Sequence, residues 1–461
     1  VQRSILLFVV LSLAAVIPIR SYDLFWHLAT GRWIVEHRAL PASDPFAVAS
    51  DRGPWINGEW LFDVALYPLQ QAIGFSGLTI LRALFVAALF VLPLLLWTGE
   101  GACPPTVGRQ APSPVVSAIA FAGANPLLDV RPSSVAAMFT AVAIAIARRS
   151  WIAFAVLTAI WINVHPSALL APVIMLVLTR SIPRTFASFL ALFVNPFGWR
   201  AIAAPLSLNA LVTSGAFTNA EWQHSSPLVF PILFITIAAG IVLFVKYRKG
   251  EVVLFAILAL LAVLHVRHQP LYFAALPMLL PPIEWKKTGL VVAIAAMLFA
   301  VVTAPHGLGL LRHRWPVTAT ARLKASGLRG NIYNPDQFGG FLIWSFYPER
   351  RALTDGRNEL YRTFNAEYAV ARVNERAWRL LLRKYAIDLA VDEYRRQQVI
   401  VTEAVTKKQR HLPSSLVYWP RAEWALIGYD DAGMVFARRA AFSGEVLQRW
   451  EIRGVVPDAV N

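Results

Sequence analysis

The sequence predicts a mainly α protein, a polytopic transmembrane bundle of about eleven helices with a small extracytoplasmic α/β domain at its C-terminal end. Three observations predict it. Of 461 residues, 57% are hydrophobic and 15% charged, against roughly a quarter charged in an ordinary soluble domain. Long apolar runs fill residues 1–304, whereas 305–461 has the mixed composition of a water-soluble domain. The loops between apolar runs alternate between two chemistries, which is how a membrane protein declares its orientation. The domain boundary is therefore placed near Pro305, with a long first outer loop, 21–60, assigned to the membrane part.

Apolar segments fall at about 4–20, 75–97, 113–128, 133–147, 151–165, 167–179, 185–197, 228–246, 251–265, 269–283 and 288–304. Several are shorter than the roughly 20 residues that a perpendicular span needs, so some are expected to be broken or partly re-entrant. The first run is followed by Ala-Val-Ile-Pro-Ile-Arg rather than a small-x-small cleavage site, and it is read as a retained helix.

With the N-terminus in the cytoplasm, one set of loops carries Arg3, Arg109, Arg148 with Arg149, Arg180 with Arg184, Lys246 with Arg248 and Lys249, and Lys286 with Lys287. These loops are short, basic and otherwise plain, as the positive-inside rule requires. That distribution accounts for the net charge of +16, and no nucleic-acid motif accompanies it. The expected location is a bacterial cytoplasmic membrane, with lipid as a partner and the C-terminal domain outside. Cys103 is the single cysteine, which excludes a disulfide framework, a CxxC redox pair and a cysteine metal site.

The other loops hold nearly every clustered acid, histidine and tryptophan of the membrane part. In the first of them, Asp23-Leu-Phe-Trp26-His27-Leu-Ala-Thr30-Gly31 predicts a helix with Asp23 and His27 one turn apart on one face. That pair suits a general base with its orienter, or two ligands of a divalent cation. It equally suits an N-cap carboxylate beside an interfacial histidine. Asp44 before Pro45 reads as a turn residue. Glu59, where the chain re-enters the membrane, needs a partner, and Arg82 in the next apolar run is the one expected.

Further polar clusters follow on the same side: Asn125-Pro126 to Asp129 and Arg131, Asn163 to His165-Pro166, Glu221 to His224, and His265 with Arg267 and His268. Proline after Asn or His breaks a helix and frees backbone groups that must line a cavity or meet protein. Arg131 and Arg267 suit a phosphate clamp, because guanidinium matches phosphate bidentately, and equally suit snorkelling to headgroups. In the C-terminal domain the pattern predicts a strand, a short helix and a second strand ending in an Asp355-Gly356-Arg357 turn. A helix near 364–384, a strand at 386–392 and a hairpin at 423–438 follow. Asp355 and Arg357 either face a cavity or pair with each other, and no nucleotide-binding signature is present.

Taken together, the block from Asp23 through Asp44-Pro45-Phe46 to Asn57-Gly58-Glu59-Trp60, with Trp161-Ile-Asn163-Val-His165, Asn195-Pro196-Phe197-Gly198-Trp199 and Phe338-Gly339-Gly340 to Arg357, resembles a large group of bacterial polytopic membrane proteins. That group is similar in layout to the GT-C superfamily of glycosyltransferases. The resemblance implies a polyprenyl-phosphate-linked sugar donor, a glycan, lipid or protein acceptor, and a first-loop carboxylate, mapping on to Asp23, as catalytic base or metal-site residue. Joined to the reading of the residues above, it gives the expectation of catalysis by Asp23 and His27, with Glu59, Arg131, His165, Glu221, Arg267, His268, Asp355 and Arg357 binding substrate. A divalent cation, Mg or Mn, is the one cofactor it leaves open. The chain departs from the pattern in lacking an Asp-x-Asp or Asp-Glu pair in the loop and a Trp-Trp-Asp motif in the C-terminal domain. Two other readings stand beside it. One is a metal-free lipid-linked glycan ligase or polymerase using Arg131, His165, Arg267 and His268. The other is a non-catalytic lipid-binding scaffold or transporter.

Overall fold

A computed structural model describes residues 2–97, 113–213, 220–247, 251–280, 287–395, 398–402 and 406–459. Cys103, Arg109, Arg248, Lys249 and Lys286 lie outside the described residues. Packing divides the chain into two units, Val1–Ser21 with Ile56–Leu310 and Tyr22–Trp55 with Leu311–Asn461. One division falls between Leu310 and Leu311, and Tyr22–Trp55 groups with the C-terminal chain.

In the helical unit, each expected apolar segment carries a helix. These are Gln2–Ala14, Trp60–Trp97, Pro114–Ala124, Pro132–Ile146, Trp151–Trp161, Ala171–Thr179, Ile182–Ala191, Pro231–Tyr247, Val252–Leu264, Gln269–Leu279 and Lys287–Thr303. Arg200–Thr213, expected as loop, is also helical. Among the described residues one helix, Trp60–Leu95, is long and apolar enough to cross a membrane. The number of spans therefore does not follow from helix length. The long helix starts earlier than expected and is kinked at Gly74, whose φ of 65° only glycine adopts freely.

Alanines dominate the contacts between these helices, with Ala83, Ala87, Ala120, Ala136, Ala137 and Ala274 all buried. Gly123 faces the Phe273 ring and Gly240 the Phe255 ring, each at a distance that no added Cβ would fit. Small residues allow this close approach, the packing expected where lipid supplies no hydrophobic drive between helices. The outward side chains are apolar too: Val245 is 74% and Val302 82% exposed. Water would penalise such a surface, whereas hydrocarbon would not.

Arg82 corrects an expectation. Its guanidinium is buried and donates to the carbonyls of Ala15, Asn125 and Leu128 and to Asn125 Oδ1. It ties the chain break at Asn125-Pro126 to the end of the first helix, satisfying carbonyls that the broken helices leave open. It is no partner of Glu59.

The C-terminal unit holds a four-stranded sheet in the order Asn331–Tyr333, Ile387–Glu393, Gly433–Arg438, Trp424–Tyr429, with the first pair parallel and the others antiparallel. The expected second strand before Asp355 is reduced to single bridges, Ala352 pairing with Ile332 and with Ala47. Thus residues 47–49 of the first loop lie along 352–353, with Val48 N donating to Ala352 O and Ala49 N to Leu353 O. The expected helix near 364–384 is two helices, Arg362–Ala371 and Glu375–Lys384, because Asn374 caps the second through Ala377 N. A hairpin, Gln398–Thr402 with Gln409–Pro413, was not expected.

Helix Leu24–His37 packs on helix Asp336–Phe346 at Gly340, while Gly339 faces the backbone of residues 354–355. A Cβ on Gly340 would stand 3.0 Å from Trp26 N, and one on Gly339 would stand 1.9 Å from Thr354 O. Both neighbours are backbone and cannot swing aside. Gly339→Ala is expected to cost about 1–3 kcal/mol or more. In a unit of this size that lowers the melting temperature by roughly 2–12 °C, readable by calorimetry.

Candidate functional site

The described residues gather the candidate side chains into three clusters, one in the C-terminal unit and two in the helical unit. The first is built around Asp23. It stands at the N-cap position of helix Leu24–His37, yet its carboxylate makes no cap hydrogen bond. Instead Trp26 Nε1 donates to Oδ1 at 3.3 Å, and the same oxygen lies 3.1 Å from where a Cβ on Gly356 would be. A side chain at 356 would crowd the carboxylate. His27, a turn further along, is 1% exposed and lies against the Trp26 ring with centroids 3.6 Å apart. The helix is thus fixed by its partner helix, and the acid at its head is left to other work than capping.

Behind Gly356, Arg357 is fully buried. It pairs with Asp355 and, at 3.0 Å, with Asp44, and Tyr361 Oη donates to Asp355 Oδ2 at 2.6 Å. The guanidinium also lies over the Trp55 ring at 4.5 Å and faces Phe46 and Trp26. Burial alone would lower its pKa, but the Asp355 and Asp44 carboxylates override that and hold it well above the usual value. Asp44 does form the expected turn, accepting from Phe46 N. Its second task, invisible in the sequence, is to lock 44–46 on to 355–361. The side chains of Asp44, Asp355 and Arg357 are at most 2% exposed, so they position Asp23's neighbourhood from within.

Asp336, in the first turn of its helix, was not expected in the site. Its carboxyl is pushed above the ordinary value by desolvation first, then by the Asp355, Glu393 and Asp23 charges, against the opposing Gln337 N–H. The folded chain therefore holds this proton more tightly than the unfolded one. Stability falls as pH rises from the unfolded value of 3.8 through the raised folded value. Because the residue is exposed, solvent screens much of this effect; Asp336→Asn is accordingly expected to raise the melting temperature only slightly at about neutral pH and to give no gain well below pH 3.8, as a melting series across pH would read.

In the helical unit, Glu59 lies 4.0 Å from His165 Nε2. His165 caps the turn beginning at Pro166: its Nδ1 accepts from Ser167 N at 3.1 Å. An accepting Nδ1 leaves the proton of the neutral ring on Nε2, toward Glu59. Trp161 Nε1 and Trp60 Nε1 brace the same corner by donating to Ser167 Oγ and Asn163 Oδ1. Nearby in sequence, Asp63 is fully buried and accepts from Asn57 Nδ2 at 2.8 Å, a polar pair the sequence reading passed over.

The third cluster joins Arg131, Glu221, Arg267 and His268. Arg131 forks on to both Glu221 oxygens, and Arg267 stacks over Trp222 at 4.4 Å. Burial would raise the Glu221 pKa, but the Arg131 charge and hydrogen bond, with the Arg267 charge, bring it below the ordinary value. Two guanidinium groups around one carboxylate leave the cluster net positive. The chain 223–225 is sewn to 263–266 through Val266 N to Gln223 O and Ser225 N to Val263 O. His265 Nδ1 lies 2.7 Å from Trp222 O. His268 Nδ1 and Gln269 Oε1 are buried with no hydrogen-bond partner among the described residues.

Among the described residues no group of three or more His, Cys, Asp or Glu is placed to hold a metal ion. Asp23 and His27 belong to no such group there.

No family model matches the chain, and no curated protein matches it. Among solved structures it is similar to the archaeal oligosaccharyltransferase AglB from Archaeoglobus fulgidus in complex with an inhibitory peptide and a dolichol-phosphate, with a TM-score of 0.42, 9% identity, and 89% of this chain and 74% of that one covered. The oligosaccharyltransferase of the same organism, tethered by a disulfide to an acceptor peptide containing the NVT sequon, gives a TM-score of 0.44 at 10% identity, over 89% and 74% of the two chains. The same enzyme in complex with Zn and sulfate gives 0.40 at 12% identity, over 88% and 72%.

Proposed function

We propose that the protein is a membrane glycosyltransferase, moving a sugar from a polyprenyl-phosphate donor to an extracytoplasmic glycan, lipid or protein acceptor. In this reading it sits in a bacterial cytoplasmic membrane with about eleven spans, its N-terminus inside and its C-terminal unit outside. The observation that carries it is Asp23: a first-loop carboxylate at a helix head that makes no side-chain cap hydrogen bond, accepts from the Trp26 indole N–H and lies beside Gly356, where any side chain would crowd it. A cap would commit that carboxylate to backbone N–H groups.

The reaction is a single displacement. Asp23 takes the proton from the acceptor hydroxyl as its oxygen bonds to the anomeric carbon. The bond from that carbon to the phosphate oxygen breaks, and polyprenyl phosphate departs with the electron pair. Configuration inverts. The donor is already activated, so positioning, one base and charge stabilisation suffice. His27, buried on the same helix face, orients Asp23.

The test is to incubate purified full-length protein with a panel of polyprenyl-phosphate sugars and acceptors, measuring released polyprenyl phosphate and the anomeric configuration of the product. Turnover with inversion is expected. Retention would remove the single displacement. Binding of the lipid without turnover across the panel would leave the scaffold reading in its place. The ligase reading draws on the Glu59–His165 pair and the orphaned His268 Nδ1. Loss of turnover in His165→Ala, with Asp23→Asn unaffected, would select it.

A further inference from the structure

Where residues 47–49 lie along 352–353, the C-terminal unit has a recess of about 240 Å³ lined by Ser43, Asp44, Ser50, Arg52 and Arg351 together with Ala47 and Val48. Its volume is below the ~300–1,000 Å³ of sites that enclose a whole drug-sized ligand, so it suits an end group. Its charges are uneven. The Asp44 carboxylate is 0% exposed and committed to Arg357 and Phe46 N; because Arg357 is shared with Asp355, one net negative charge stays beside the recess against the two guanidinium groups that line it. Arg52 and Arg351 are both exposed, and neither guanidinium has an ion pair or hydrogen bond among the described residues. Several other arginines of this unit are engaged: Arg322, Arg357, Arg379, Arg395, Arg421 and Arg439 all meet carboxylates or carbonyls. Two like charges share one small recess with two hydroxyl-bearing serines, a combination that repels itself until an anion arrives.

We propose that this recess is an anion subsite, in which Arg52 and Arg351 grip a phosphate group while Ser43 donates to a remaining oxygen and Ser50 exchanges its long 3.4 Å bond to Asp51 O for another. Phosphate fits better than carboxylate because it presents enough oxygens for two guanidinium forks and two hydroxyls at once. The group is either a soluble phosphate or the phosphate of an anionic lipid headgroup. The inference does not rest on the glycosyltransferase reading, and neither fails with the other.

The experiment uses the full chain in detergent micelles. Inorganic phosphate is titrated and followed by phosphorus NMR line broadening. Separately, native mass spectrometry compares phosphatidylglycerol with phosphatidylcholine retained from mixed micelles. Each charge-assisted pair is worth about 1.5–3 kcal/mol, so Arg52→Gln or Arg351→Gln is expected to weaken binding about tenfold or more. Arg→Lys should restore part of it, and added salt should weaken the wild type. Because both side chains are exposed, melting temperatures should not move. Arginine-dependent phosphate binding assigns the subsite to a soluble ligand; arginine-dependent retention of phosphatidylglycerol alone assigns it to a headgroup. Binding unchanged in the double Gln variant, or no binding of either probe, overturns the proposal.

Discussion

If the protein is the glycosyltransferase proposed, Asp23→Asn is expected to lower the release of polyprenyl phosphate by roughly 10²–10⁴-fold, the span that removal of a positioned general base produces. At 1.36 kcal/mol per tenfold, this is a loss of about 3–5 kcal/mol of transition-state stabilisation. Asparagine keeps the shape and one oxygen, so the Trp26 indole retains its acceptor and the helix head keeps its packing beside Gly356. The amide cannot take a proton at neutral pH. Activity should therefore fall with no matching fall in melting temperature, and with KM for the donor nearly unchanged, because the lost interaction belongs to the transition state. Gly356→Ala makes the complementary test. A methyl 3.1 Å from the Asp23 oxygen should displace the carboxylate and reduce kcat while leaving the carboxylate chemically intact. If Asp23→Asn turns over within about threefold of wild type, the base lies elsewhere and His165 is the next residue to replace.

Local chemistry was legible in the sequence where it depends on neighbours a few residues away. Helix Leu24–His37 and the hairpin at 424–438 follow from periodicity and turn residues, and Asp44 forms the turn that Asp-Pro announces. What required the fold was anything joining distant segments. Nothing in residues 22–55 announces that they pack with a chain three hundred residues on. The signal, Gly339-Gly340, is read only once Trp26 is seen against Gly340 and the 354–355 backbone against Gly339.

The partner assigned to Glu59 failed for a geometric reason. Arg82 was chosen for its nearness in sequence, but it lies on the helix that starts at Trp60, roughly 30 Å of helical rise further along. A carboxylate at one end of a span cannot meet a guanidinium near the other, and His165, from a broken helix, supplies the partner instead. Asp336 was passed over because an acid in the first turn of a helix is ordinary. Only its distant company of Asp23, Asp355 and Glu393 sets it apart. The hairpin at 398–413 escaped because its residues are exposed or half-buried along both strands, which leaves no core-facing apolar row to see.

Arg357→Met destabilises the C-terminal unit by about 3–5 kcal/mol, the cost of breaking a buried ion pair from one side. In a unit of this size the melting transition should drop by roughly 6–20 °C. The reason is not lost attraction alone. Without the guanidinium, the Asp355 and Asp44 carboxylates, both 0% exposed, face each other in the same buried space with only the Tyr361 hydroxyl and backbone N–H groups for company. Methionine fills the volume among Trp26, Phe46 and Trp55 but carries no positive charge. Arg357→Lys should cost less, since the charge survives and only the forked geometry is lost. Adding Asp355→Asn to Arg357→Met should recover part of the loss, because it removes one of the two stranded charges. That recovery separates an electrostatic role from a packing one: if the double variant melts no higher than Arg357→Met, the stacking on the three aromatic rings holds this corner, not the ion pairs. Either way, loosening 44–46 from 355–361 shifts Gly356, and through it Asp23, so turnover should fall in Arg357→Met even below its melting transition, in proportion to the disorder reaching that carboxylate.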